Sequence, residues 1–288
     1  MKAAPFDYVE AGSADEAVHL LGETGAEGAI LAGGQTLMPL LALRMATPAV
    51  IVDINPAADL AGITSGEKGV RIGAATRQAA ALTSPIVASH APALTRAIAH
   101  VGHYQTRSRG TVGGSIALGE PAAEQPATAV AMGAMIELRS TRGARLVPAR
   151  DFYLGSYLTA RADDEVLVAV HFPQWPAGTQ IVFHEVARRA GDFALVGLIM
   201  LFDVCDQKIA RAGIGWFGMG PTPIAGLAAE RALTGVALSD LDPRELARIA
   251  LAEVEPADDL HASAHYRKTV ATRLFERSIQ TLGGRVAA

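Results

Sequence analysis

Apolar residues fall into short runs separated by polar or glycine-rich breaks, with stretches of helical spacing between them. Ser13-Ala14-Asp15-Glu16 has the form of a capping box and predicts a helix from there through about Leu21. Next come a predicted strand over 29–32, a helix over 37–45 and a strand over 50–54 closed by Asn55-Pro56. Residues 1–55 therefore read as a compact α/β unit. From 60 to 173 the pattern is mixed. A strand is predicted at 70–73, a helix capped by Thr76 through Leu82, and a second helix over 93–101. A hairpin runs from Ile136 to Val147 with its turn at Thr141-Arg142-Gly143, and the run EVLVAVHF at 165–172 reads as a strand buried on one or both faces. Pro173 to Gly178, with two prolines and a glycine, breaks the chain. Beyond it strands are predicted over 180–187, 195–205 and 209–217, the last two joined at Asp206-Gln207, then helices over 224–234, 244–254 and 266–282. Strands first and helices after imply an antiparallel sheet covered by helices on one face.

Composition narrows the function. Half of the 288 residues are hydrophobic, 19% are charged and only 5% are aromatic, so the core is largely aliphatic and some apolar surface is expected to meet partners. A net charge of -4 argues against nucleic acid as the main partner. No apolar run approaches the roughly 18 residues of a membrane span, and the N-terminus lacks the apolar stretch of a secretion signal, so a cytoplasmic protein is expected. The single cysteine, Cys205, cannot form an internal disulfide or hold an iron–sulfur cluster, which is usually bound by about four thiolates. Any such cluster belongs on another chain. Its strand-like surroundings, Leu201-Phe202-Asp203-Val204, predict a buried core thiol.

Two glycine turns carry the candidate chemistry. Ala32-Gly33-Gly34-Gln35-Thr36 ends the first apolar run, and Thr111-Val112-Gly113-Gly114-Ser115 follows a basic stretch containing Arg107 and Arg109. Glycine lets backbone N–H groups come close to an anion, and a hydroxyl adds a donor. Two such turns suit a pyrophosphate gripped from both sides; two ordinary helix-capping turns are the alternative. No G-x-G-x-x-G run marks the first turn, so the usual dinucleotide fingerprint does not apply.

At these turns the chain resembles the FAD-binding medium subunit of molybdenum hydroxylases, the family of xanthine dehydrogenase, carbon monoxide dehydrogenase and N-heterocycle hydroxylases. The resemblance rests on AGGQTLMPLLALRMATP at 32–48, VDINPAADLAGI at 52–63, RGTVGGS at 109–115, DFYLGSYLTA at 151–160, ARRAGDFALVG at 187–197 and YRKTVATRLFERSI at 266–279. It implies an α+β fold: a two-subdomain FAD-binding domain of the vanillyl-alcohol-oxidase/p-cresol-methylhydroxylase type over 1–176 (subdomains about 1–55 and 56–176), then a C-terminal antiparallel sheet packed with helices over 177–288. It further implies FAD on this chain, with molybdopterin on a large partner subunit and two 2Fe-2S clusters on a small one, in a dimer of heterotrimers. Electrons would pass through FAD to an external acceptor such as NAD, a quinone, oxygen or a carrier protein.

The resemblance also assigns roles. Ala32, Gly33, Gly34, Gln35 and Thr36, with Thr111, Gly113, Gly114 and Ser115, wrap the FAD pyrophosphate, and the helix after Thr36 adds its positive end. Glu124 falls at an acidic position near the ribityl chain, and Val101 borders the flavin. Leu118-Gly119-Glu120-Pro121 departs from the family's His-Ala-Asp-Pro, leaving Leu118 a packing neighbour. Asp192 and Phe193 sit on a loop laid against the isoalloxazine ring. Phe193 there shields one ring face, or else it is a core residue opening the next strand. Arg188 and Arg189 either stabilise reduced flavin or face solvent and a partner. Val186 stands where relatives carry a lysine, and the His103 segment tilts the substrate toward an N-heteroaromatic. No side chain is expected to be catalytic and no metal site is expected on this chain. The alternatives are a free-standing FAD oxidoreductase of the same cofactor fold, a scaffold subunit without FAD, or the medium subunit of a carbon monoxide or aldehyde dehydrogenase.

Overall fold

Ser13 begins the first helix, Ala14–Thr24, in the computed structural model, which describes residues 2–284. Its hydroxyl accepts the Glu16 N–H at 3.1 Å, while the Glu16 carboxylate accepts from Gly12 N–H at 2.7 Å, one residue earlier than a strict capping box places it. The apolar face of this helix (Ala17, Val18, Leu21) packs on a three-stranded parallel sheet with Val50–Asp53 between Asp7–Glu10 and Gly28–Leu31.

The second sheet is antiparallel, in the order Ile63–Gly66, Gly69–Gly73, Val166–Pro173, Met135–Ser140, Gly143–Pro148. Its central strand explains the unbroken apolar run. Leu167, Val170 and Phe172 enter a helical core, while Val166 and Val168 pack toward the first sheet and its helix.

A third, antiparallel sheet orders Gln180–Val186, Val196–Cys205, Lys208–Phe217 and Ile224–Ala225. Helices Leu227–Leu233, Pro243–Leu251 and Ala264–Leu282 share its core on one side. Against it also lies the helix Glu124–Met132, all nine of whose residues are buried. Glycine permits this contact: a Cβ on Gly213 would stand 2.3 Å from the Ala131 carbonyl oxygen, and one on Gly215 2.4 Å from that of Ala127. Trp175, in the break after the second sheet, donates its indole N–H to Met132 O at 3.2 Å and carries the Arg211 guanidinium 3.8 Å above its ring.

Three expectations need correction. Thr76 does not cap a helix; its hydroxyl bonds Gly62, and the helix Gln78–Thr83 starts after Arg77. The predicted helix at 224–234 begins as an edge strand, Ile224–Ala225, paired with Trp216 and Gly215, and turns helical only at Leu227. Cys205 is exposed, not buried. It ends its strand beyond a register shift at Asp203/Val204, beside the Asp206-Gln207 turn, where both residues take positive φ (49° and 59°).

Arg267 ties the last helix to the loop that precedes Val196. It is 5% exposed, and its guanidinium donates to Leu195 O (2.6 Å), Gly218 O (2.9 Å) and Asp259 Oδ2 (2.6 Å). Arg267→Met leaves two carbonyls and a carboxylate without their donor. The expected cost is about 2 kcal/mol of unfolding free energy, read from urea denaturation midpoints.

Candidate functional site

The strand Gly28–Leu31 delivers Ala32 to the first glycine turn, which swings through Gly34 (φ 70°) into the helix Leu37–Leu43. A Cβ on Gly33 would lie 2.5 Å from the Arg109 carbonyl oxygen and 2.7 Å from Gly110 Cα, so the stretch leading into the second turn sits directly on the first. Side chains fasten them together. Asn55 Nδ2 donates to Ala32 O at 2.8 Å, and Arg77 donates to Asn55 Oδ1 at 2.7 Å and to Arg109 O at 2.5 Å. Asp53 orients Asn55 through the Asn55 backbone N–H (2.9 Å) and itself accepts from the Tyr8 hydroxyl at 2.6 Å. The N–H groups of Gly33, Gly34, Gln35 and Thr36 find no acceptor among the described residues. That is a cluster of free donors on one short arc, the arrangement that receives an anion.

The second turn is built differently. Thr111 caps the helix Val112–Leu118 by accepting the Gly114 N–H at 3.0 Å. Val112 donates to Thr76 O (2.9 Å), Gly113 to Ala74 O (3.0 Å) and Ser115 to Thr111 O (3.2 Å). The expected density of free donors is therefore absent here, because the carbonyls of Ala74 and Thr76 and the capping Thr111 take up these amides. Gly113 is required for packing, since a Cβ would lie 2.5 Å from Ala74. Toward solvent the turn offers the exposed Gly114 and the Ser115 hydroxyl.

Between the turns lies a cleft of about 420 Å³. Ala32, Gly33, Gly34, Gln35, Thr36, Val101, Thr111, Gly113, Gly114, Ser115, Glu124 and Phe193 all border it. Asp192 does not: it is exposed on the same loop as Phe193, and its N–H bonds Arg189 O at 3.2 Å. Phe193 is 63% exposed and precedes its strand, which removes the core reading. Leu37, Leu40, Ile54, Leu118 and Leu167 give the cleft an apolar wall. Sequence reasoning missed Gln78, Arg77 and Asn55. Gln78 is buried on the cleft wall and its Oε1 has no partner. Asn55 stood in plain sight in the strand-ending Asn-Pro and Arg77 beside the threonine predicted to cap a helix, but their link forms only when three segments meet.

Burial sets the local electrostatics. It pushes the Glu124 carboxyl up to about 8 and that of Glu185, nearby in space, up to about 7. Glu165 on the same cleft is held low by paired hydrogen bonds from Arg145 (2.6 and 2.7 Å). No cluster of three metal-ligating side chains occurs among the described residues. A second cavity of about 450 Å³ opens on the same turn, bordered by Met38, Asp53, Asn55 and Arg109. The open donors at 33–36 fit an anionic group, the orphaned Gln78 oxygen a hydrogen-bond donor, and the wall an apolar portion of a ligand.

Comparison with known proteins bears on that ligand. Residues 4–175 match the family model described as the FAD binding domain in molybdopterin dehydrogenase, and residues 181–282 match the CO dehydrogenase flavoprotein C-terminal domain. The chain is 37% identical to the 6-hydroxypseudooxynicotine dehydrogenase complex subunit alpha of Paenarthrobacter nicotinovorans, covering 97% of this chain and 95% of that one. A solved carbon monoxide dehydrogenase chain from Hydrogenophaga pseudoflava superposes with a TM-score of 0.94 at 35% identity, each chain covered in full. Quinoline 2-oxidoreductase from Pseudomonas putida 86 gives 0.90 at 32% identity, again with both chains covered in full. No helix among the described residues is long and apolar enough to cross a membrane.

Proposed function

The chain belongs to the FAD-binding medium subunits of the molybdenum hydroxylases, and from that premise we propose that it relays electrons from partner iron–sulfur clusters, through FAD, to an external acceptor. When bound, FAD supplies a two-electron store between one-electron donors and that acceptor. The observation carrying the reading is the free donor arc at Gly33, Gly34, Gln35 and Thr36 beside an apolar cleft. These N–H groups hold the pyrophosphate. Ser115 adds a hydroxyl from the facing turn, and Gln78 offers its amide to the ligand's polar atoms. Leu37, Leu40, Val101 and Leu118 exclude water from the walls, and Phe193 at the rim limits which acceptors approach. Asp192 is left out of the contact set.

The partners in this reading are a large molybdopterin subunit and a small subunit with two 2Fe-2S clusters, assembled as a dimer of heterotrimers. Oxidation of the fuel molecule then occurs away from this chain. An N-heteroaromatic fuel is the favoured class, supported by the His103 segment and by likeness to proteins named for a nicotine derivative and for quinoline. The test is to purify the whole complex and reduce it with a panel of heterocycles, aldehydes and carbon monoxide. A heterocycle is expected to bleach flavin absorbance, and removal of FAD is expected to abolish transfer to the physiological acceptor while substrate still reduces the iron–sulfur centres. A colourless complex, or substrate oxidation by this chain alone, contradicts the reading.

Arg77→Met removes the clamp from Asn55 and from the Arg109 carbonyl. FAD affinity is expected to fall about tenfold, roughly 1.4 kcal/mol, in a fluorescence titration of the apo chain.

A further inference from the structure

Arg109 ends the helix Tyr104–Arg109 and meets the first glycine turn through its backbone: Gly33 packs on its carbonyl oxygen, to which Arg77 also donates at 2.5 Å. Its side chain is exposed, and the guanidinium makes no hydrogen bond or ion pair among the described residues. Three other arginines near the turns are engaged. Arg77 holds Asn55 Oδ1 and Arg109 O, Arg107 holds Val101 O (2.7 Å) and Gly102 O (3.1 Å), and Arg161 holds the carbonyls of Ala162 and Glu165 (2.9 Å each). Arg109 borders the 450 Å³ cavity on the first turn. Ala32, Gly33, Gly34 and Gln35 line both that cavity and the cleft, so the donor arc is part of the wall between them. Backbone contact between Gly33 and Arg109 brings the arc within the length of one arginine side chain.

We propose that Arg109 is the charge partner of the cofactor's pyrophosphate, reaching over the donor arc from the second cavity. The proposal rests on the FAD reading above and adds a binding residue outside the two glycine turns. The amides of the arc are neutral donors, whereas the pyrophosphate is negatively charged on both phosphates. A guanidinium presents parallel N–H groups to phosphate oxygens, and charge-assisted bonds of this kind are roughly twice as strong as neutral ones.

The surroundings leave positive charge to spare. Asp53 borders the same cavity, but its carboxylate is served by the Tyr8 hydroxyl (2.6 Å) and the Asn55 backbone N–H (2.9 Å) and takes no bond from Arg109. Burial first, and the charge of Arg109 second, hold the Arg77 guanidinium below its ordinary value. Two like charges therefore crowd one edge of the arc, and an anion seated on the free amides relieves them both.

The test uses the purified complex stripped of FAD. Arg109→Gln keeps the backbone carbonyl that Gly33 and Arg77 contact, so it removes the charge and leaves the joint between the turns in place. The FAD dissociation constant is expected to rise about tenfold in Arg109→Gln, and Arg109→Lys, which restores the charge without the planar fork, to rise only about threefold. Raising the salt concentration is expected to weaken FAD binding to the wild type more than to Arg109→Gln, because the variant has lost the charge that salt screens. Titration with inorganic pyrophosphate, which has no flavin, is expected to separate wild type and Arg109→Gln by a similar factor. Equal affinity of the two proteins for FAD or for pyrophosphate overturns the proposal. Weaker FAD binding that keeps the wild-type salt dependence also overturns it, since that marks a distorted turn. A wild-type complex that takes up no FAD overturns the functional reading instead, and the pyrophosphate titration still decides whether Arg109 holds an anion at the arc.

Discussion

Gly33→Val is expected to yield a folded chain that no longer retains flavin. The new Cβ would stand 2.5 Å from the Arg109 carbonyl oxygen and 2.7 Å from Gly110 Cα, both backbone atoms with no flexible side chain to swing aside. The two turns must separate, and the Asn55–Arg77 clamp that joins Ala32 to Arg109 is stretched in the process. Overpacking of this kind typically costs about 1–3 kcal/mol. Here the strain is relieved by moving the turn that carries the free N–H groups, so the loss falls on cofactor affinity. A hundredfold or greater rise in the FAD dissociation constant is expected, about 2.8 kcal/mol, and the purified variant should lack the flavin absorbance band. Gly34→Ala probes a different term. Gly34 sits at φ 70°, and the nearest obstacle is the flexible Met38 side chain at 3.1 Å, so its effect is expected to be smaller.

The second large effect concerns the joint between the sheets. Gly215→Val drives a branched side chain into the Ala127 carbonyl oxygen, which a bare Cβ would already approach to 2.4 Å, and into Ile199. The helix Glu124–Met132 is buried on every side and cannot slide without opening a second contact at Gly213. A loss of about 3 kcal/mol is expected, roughly a 5 °C fall in melting temperature for a chain of this size. Because Glu124 leads that helix, bound flavin should be lost together with cooperative melting. Coincident melting curves for the variant and the wild type contradict this account of the joint.

The sequence was legible where a local pattern and its tertiary surroundings agree. The capping hydroxyl of Ser13, the hairpin turning at Thr141-Arg142-Gly143, the buried strand at 166–173 and the strands of the third sheet each carry their own signal. The helix Glu124–Met132 gave none, because burial on all faces erases the period that marks an amphipathic helix. Short helices such as Tyr104–Arg109 and Val112–Leu118 lack the length for a period to register. Cys205 misled because the alternation of its strand slips at the Asp203/Val204 irregularity. At the site, both glycine turns could be found from residue type. Their division of labour could not: whether an amide is free depends on Ala74, Thr76 and Thr111 placing acceptors beside the second turn and none beside the first.

The central claim is that the free amides of Gly33, Gly34, Gln35 and Thr36 receive the cofactor's phosphates. A crystal structure of the FAD-loaded chain tests it directly. The account predicts pyrophosphate oxygens within hydrogen-bond distance of at least two of those four N–H groups. Pyrophosphate bound elsewhere, with that arc facing only solvent, contradicts it.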